Sequence, residues 1–112
     1  MVHEDLELES LRCFMMYRKK KNFFDEYEKL GRGLVLCRKG KVLIIHEKYE
    51  DESIVDIITF REDEKSKKFM MFIKKMYNVF GGVIIKEIFE RMFDFPKDVI
   101  YDEEHEYHFY YE

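Results

Sequence analysis

Apolar positions along this chain change their spacing from one segment to the next, and the spacing predicts the elements. In KSKKFMMFIKKMYNVFGG, residues 65–82, Phe69, Phe72, Ile73, Met76 and Phe80 fall at i, i+3, i+4, i+7 and i+11. At about 100° per residue these make one apolar stripe, with Lys67, Lys68, Lys74, Lys75 and Asn78 opposite, so the segment reads as an amphipathic helix. Gly81 and Gly82 supply its stop.

The stretch GLVLCRKGKVLIIHE, Gly33 to Glu47, has the period of strands instead, and a tight turn at Lys39 and Gly40 makes it a β-hairpin. That turn sets Arg38 against Lys41, Leu36 against Leu43 and Leu34 against Ile45. Leu34, Leu36, Leu43 and Ile45 then share one face and Val35, Cys37, Val42 and Ile44 the other. Both faces are apolar, which predicts a sheet covered on both sides. Ile54 to Arg61, IVDIITFR, reads as a third strand, and the chain ends in HEYHFYYE, whose alternating aromatics suggest a last one.

Residues 4–18 carry two patterns. Leu8, Leu11, Phe14 and Met15 make a helical face, while Leu11, Cys13, Met15 and Tyr17 alternate as in a strand. Glu4, Asp5 and Glu7 favour helix, because acids stabilise the positive end of its dipole. After the basic run Arg18 to Lys21, Asn22 reads as the N-cap of a second, short helix, with Asp25 and Glu26 early in it and Gly31 at its end. Val83 to Phe93 repeats helically, with VIIKEIF as the competing strand, and Asp98 to Asp102 beyond Pro96 is a connection or short strand. The whole, residues 1–112, is expected to be one α+β domain: a mostly antiparallel sheet of about four strands with a central hairpin, packed on a long amphipathic helix and shorter helices. Covering both sheet faces requires either the N-terminal helices or another subunit.

Composition narrows the setting. The chain has no Ala, Gln or Trp and only two Asn, Asn22 and Asn78, while Lys and Glu abound. That balance is the one associated with hyperthermophiles, and it suggests a thermophilic, archaeal or viral source. No apolar run approaches the roughly 18 residues of a membrane span, and no basic stretch leads into an apolar one at the start, so a cytoplasmic protein is expected. Residues 1–9 hold four acids and residues 102–112 five, neither with Lys or Arg, so the net charge of −4 conceals a basic middle.

Candidate chemistry is sparse. Cys13 and Cys37 form no CxxC or zinc pattern, and Ser10, Ser53 and Ser66 lie in no GxSxG context. His105 and His108 share acids nearby, but on a strand residues three apart point to opposite faces and do not share an ion. His46 ends the hairpin on the Val35 face, as a core or rim residue. No catalytic residue, metal site or cofactor is therefore expected. The order hairpin, third strand, long helix, then a strand from Val83 resembles the core of the GNAT acetyltransferases, which would imply acetyl-CoA. Those enzymes place an R-x-x-G-x-G/A turn before the helix; here the stretch is Arg61, Glu62, Asp63, Glu64, Lys65, Ser66, with no glycine and three acids that would repel the cofactor, and no residue carries over.

Two binding readings remain. Tyr107, Phe109 and Tyr111 lie on one face of the last strand and are candidate anchors for another protein or a second copy. Arg18, Lys19, Lys20, Lys21, Arg38, Lys39 and Lys41 could contact phosphates, with Tyr17 and Tyr49 near enough in sequence to stack bases, which makes nucleic acid the alternative partner. Protein binding is the leading expectation.

Overall fold

A computed structural model describes residues 4–50, 53–81, 98–100 and 104–111, with side chains over 8–50 and 53–81. Among the described residues, two helices, α1 (Glu4–Tyr17) and α2 (Asp63–Phe80), flank six strands: β1 (Glu26–Leu30), β2 (Leu34–Lys39), β3 (Val42–Lys48), β4 (Ser53–Phe60), β5 (Asp98–Ile100) and β6 (Glu104–Tyr111). The strands form one sheet in the order β1-β2-β3-β4-β6-β5, in which β1 to β4 are antiparallel neighbours and β4 and β6 run parallel. The expected α+β architecture is present, with the terminal strand as β6. Residues 83–93 lie outside the described residues.

The hairpin turn is displaced from the expected position. Lys39 pairs with Val42, so the turn residues are Gly40 and Lys41, with Gly40 at φ 55°. Positive φ at the first turn position costs a side-chain-bearing residue more than glycine, and this places the turn one residue later. The register therefore slides by two: Leu36 meets Ile45 and Cys37 meets Ile44. A slip of two keeps every side chain on its expected face, whereas a slip of one would exchange the faces.

A larger correction concerns residues 22–31, expected as a helix capped by Asn22. A single 3-10 turn at Lys21–Phe23 leads instead into strand β1, paired with β2 from Glu26↔Arg38 to Leu30↔Leu34. Gly31 does adopt positive φ, 62°, but in the β1–β2 turn rather than at a helix end. Pairing with the otherwise open edge of β2 supplies backbone hydrogen bonds that outweigh a short, intrinsically marginal helix.

Each sheet face has its own core. On one side Leu34, Leu36, Leu43, Ile45, Ile58 and Phe60 pack with Met70 and Ile73 of α2, and Leu30, Phe69 and Tyr77 border them. On the other, Cys37, Val42, Ile44, Val55 and Ile57 pack with Cys13 of α1 and with Phe24. The N-terminal helix thus takes the second face, and among the described residues both faces of β2 to β4 are covered within one chain.

Both helices are rotated from their expected faces. In α2 the fully buried positions are Ser66, Met70 and Ile73, while Phe72 and Phe80 of the predicted stripe are exposed. In α1 the buried line is Ser10 and Cys13, continued by half-buried Tyr17. The small side chains at Ser10 and Cys13 let α1 lie close over β3, β4 and β6.

Candidate functional site

The backbone register sets Tyr107, Phe109 and Tyr111 beside Asp56, Ile58 and Phe60, three buried residues of β4 on the α2 side. β6 runs inside the sheet between β4 and β5. His105 and His108 stand beside Ile54 and Ile57, an odd number of positions apart on a strand, as expected. Among the described residues, no three His, Cys, Asp or Glu side chains gather as a metal site would require.

Of the basic residues predicted to contact phosphate, Arg18, Lys19, Lys20 and Lys21 are exposed and Arg38 is not. Arg38 is only 5% exposed. Its Nε donates to Glu26 Oε2 at 2.7 Å, and its Nη1 donates to the Gly40 carbonyl at 2.9 Å and lies 3.5 Å from Ser66 Oγ. These bonds tie β1, the hairpin turn and the start of α2 together, and they remove Arg38 from any phosphate surface. Lys39 Nζ lies 3.4 Å from Asp25 and 5.1 Å from the Phe23 ring centre, while Lys21 covers Tyr27 at 5.3 Å and Arg18 covers Phe14 at 5.7 Å. The Gly40 N–H donates to Asp25 Oδ2 at 2.9 Å, and this bond, with Lys39 beside it, holds the Asp25 carboxyl below the usual range. A fixed carboxylate thus sits among the turn lysines. Of the two tyrosines proposed for base stacking, Tyr17 is half-buried and hydrogen-bonded to His46 Nδ1 at 2.7 Å, while Tyr49 stays exposed with its hydroxyl donating to Glu47.

A cleft of about 370 Å³ opens between α1 and the hairpin turn, lined by Glu9, Arg12, Cys13, Phe23, Asp25, Lys39, Gly40, Lys41, Val42 and Asp63. The Phe23 ring has Arg12 at 5.5 Å and Lys39 at 5.1 Å. Three bases and three acids line this cleft, so its charge selects neither an anion nor a cation. Burial, reinforced by Glu9, raises the Cys13 thiol to about 11, which disfavours a thiolate there. Burial raises Cys37 as well. At the start of α2, Glu62, Asp63 and Glu64 stand where a pyrophosphate-binding turn would need free backbone N–H groups and no negative charge.

What the fold does present is apolar side chains turned outward on both helices. On α1, Leu8, Leu11 and Met15 are 67%, 46% and 61% exposed, at i, i+3 and i+7. On α2, Met71, Phe72, Val79 and Phe80 are exposed, Val79 at 70%. Periodicity alone merges the inward and outward apolar rows of α1, since Phe14 belongs to the core side and Met15 to the outside. The usable signal is the second line of Ser10, Cys13 and Tyr17, whose small and amphipathic side chains suit close packing on a sheet. No protein-family model, curated protein or solved structure matches this chain significantly.

Proposed function

We propose that this domain is a non-enzymatic binding module that docks on another protein, or on a second copy of itself, through the outward apolar row of α1. The observation that carries the reading is that Leu8, Leu11 and Met15 stay exposed although each sheet face already has a helix over it. Their exposure does not come from a deficit in the domain's own core, and a contiguous apolar row on a small domain is what a docking surface offers. We assign docking to this row rather than to Tyr107, Phe109 and Tyr111, because β6 is an interior strand whose register runs beside buried residues. The composition supports a thermophilic source, archaeal or viral, and a regulatory partner in its cytoplasm is the setting that fits a docking domain.

Affinity capture of the tagged protein from lysate of its native source, with and without nuclease, tests this. One stoichiometric protein band in both lanes is expected, and Leu11→Asp should remove it while leaving the fold intact. Bands that vanish with nuclease would transfer the function to nucleic-acid binding by the exposed Lys19, Lys20 and Lys21. Deletion from His105 is unsuitable as a control, since it removes β6 and with it the pairing of both β4 and β5.

A further inference from the structure

We propose that α1 is the seam of a two-fold homodimer, in which the helices of two copies lie antiparallel with Leu8, Leu11 and Met15 of one against the same row of the other. This rests on the docking reading and names its partner. The argument is the order of charge along the helix. The row Leu8, Leu11, Met15 continues at the same alternating spacing back to Glu4 at its start, and Arg18, the first residue beyond the helix, follows its end with its guanidinium over the Phe14 ring. That is the spacing of a helix–helix seam, acidic at its start, apolar through its middle and basic just past its end.

The flanking charges follow the same order. Glu4, Asp5 and Glu7 occupy the first half without a base, and Arg18, Lys19 and Lys20 follow the helix without an acid. A parallel pair would oppose acid to acid and base to base. An antiparallel pair with its axis near Leu11 opposes the acidic half of each helix to the basic end of the other, so the surface is complementary to itself only under a two-fold rotation. From Glu4 to Tyr17 the helix rises about 20 Å, so the acidic start and the basic residues just past the end meet their opposites at one alignment. A generic partner requires no such symmetry.

Magnitudes set the strength. Three side chains give far less than the roughly 800 Å² per partner of a stable interface, so the dimer is weak. Exposed end charges contribute little affinity but choose the orientation, and salt screens them.

Sedimentation velocity of the full chain from about 5 to 500 μM tests this, at low and high salt. The expected result is a monomer that becomes a dimer as concentration rises, with a dissociation constant of about 10–100 μM that weakens several-fold in high salt. Leu11→Asp should leave a monomer at every concentration with an unchanged circular dichroism spectrum. Lys19→Glu/Lys20→Glu and Glu4→Lys/Glu7→Lys should each weaken self-association several-fold at low salt, and an equimolar mixture of the two should restore it. A wild type monomeric at 500 μM overturns the proposal, as does a dimer indifferent to Leu11→Asp or a mixture that fails to recover. A monomer whose capture band is still lost with Leu11→Asp would refute the homodimer and leave the docking reading standing. A monomer with empty capture lanes would refute both.

Discussion

Arg38 shows how far a residue's role depends on where its neighbours fold. In sequence it belongs to a basic turn; in the fold it is held by Glu26, Gly40 and Ser66. Replacing it with Leu leaves the Glu26 carboxylate without its partner, and because Glu26 stays partly exposed the cost should be about 2 kcal/mol rather than the larger loss of a fully buried pair. Urea unfolding measures it, and Arg38→Lys should recover little, because a point charge does not reproduce the guanidinium's several directed bonds. The two thiols make a second expectation. Cys13 and Cys37 are buried and their ionisation is disfavoured. An alkylating reagent at pH 8 should therefore label the native protein far more slowly than the urea-unfolded chain. The sign for stability follows: above pH 9 the unfolded chain releases thiol protons that the folded chain retains, so stability falls as pH rises from 9 towards about 11, the folded value of Cys13. The double Cys→Ser variant should lose that decline.

Among the elements, α2 and β1 carry the lessons. Helix, length and stop of α2 were all legible, from Asp63 near the expected start to Gly81 at φ 87°. Its orientation was not, because apolar residues occur on more than one side of it and only contact with the sheet chooses among them. Ser66 is decisive: its Oγ lies 2.5 Å from the Gly40 carbonyl and 2.7 Å from that of Asp63, which anchors the first turn and turns Met70 and Ile73 inward. Met70→Ala should therefore cost about 2–4 kcal/mol, while Val79→Ala should cost under about 1 kcal/mol, both read from unfolding midpoints. Equal costs would mean the rotation is wrong. β1 makes the complementary point. Phe23, Phe24, Tyr27 and Leu30 carry a helical spacing, but in the strand Tyr27 borders one core and Leu30 the other.

For the molecule as a whole, the two cores lie on opposite faces of one sheet, and each is closed by one helix. Because β2 to β4 are covered on both faces within one chain, the case for docking shifts to the outward rows of the helices. Capture from lysate and the concentration series belong to this scale, because both ask what the completed surface does. The α+β class, the hairpin, the third and last strands and helix α2 followed from the sequence, since alternation and helical periodicity are local patterns that reach down to neighbouring residues; residues 4–18 carried both periods, and only the acids of the first turn favoured helix. The faces of the hairpin followed too, because a strand's parity survives a register shift of two. Only the tertiary structure decided that residues 26–30 are a strand, which side of each helix is inward, and that Arg38 is internal. Those depend on contacts between residues distant in the chain: the open edge of β2, the Ser66 bonds to the hairpin turn, and the small side chains of Ser10 and Cys13 against the sheet.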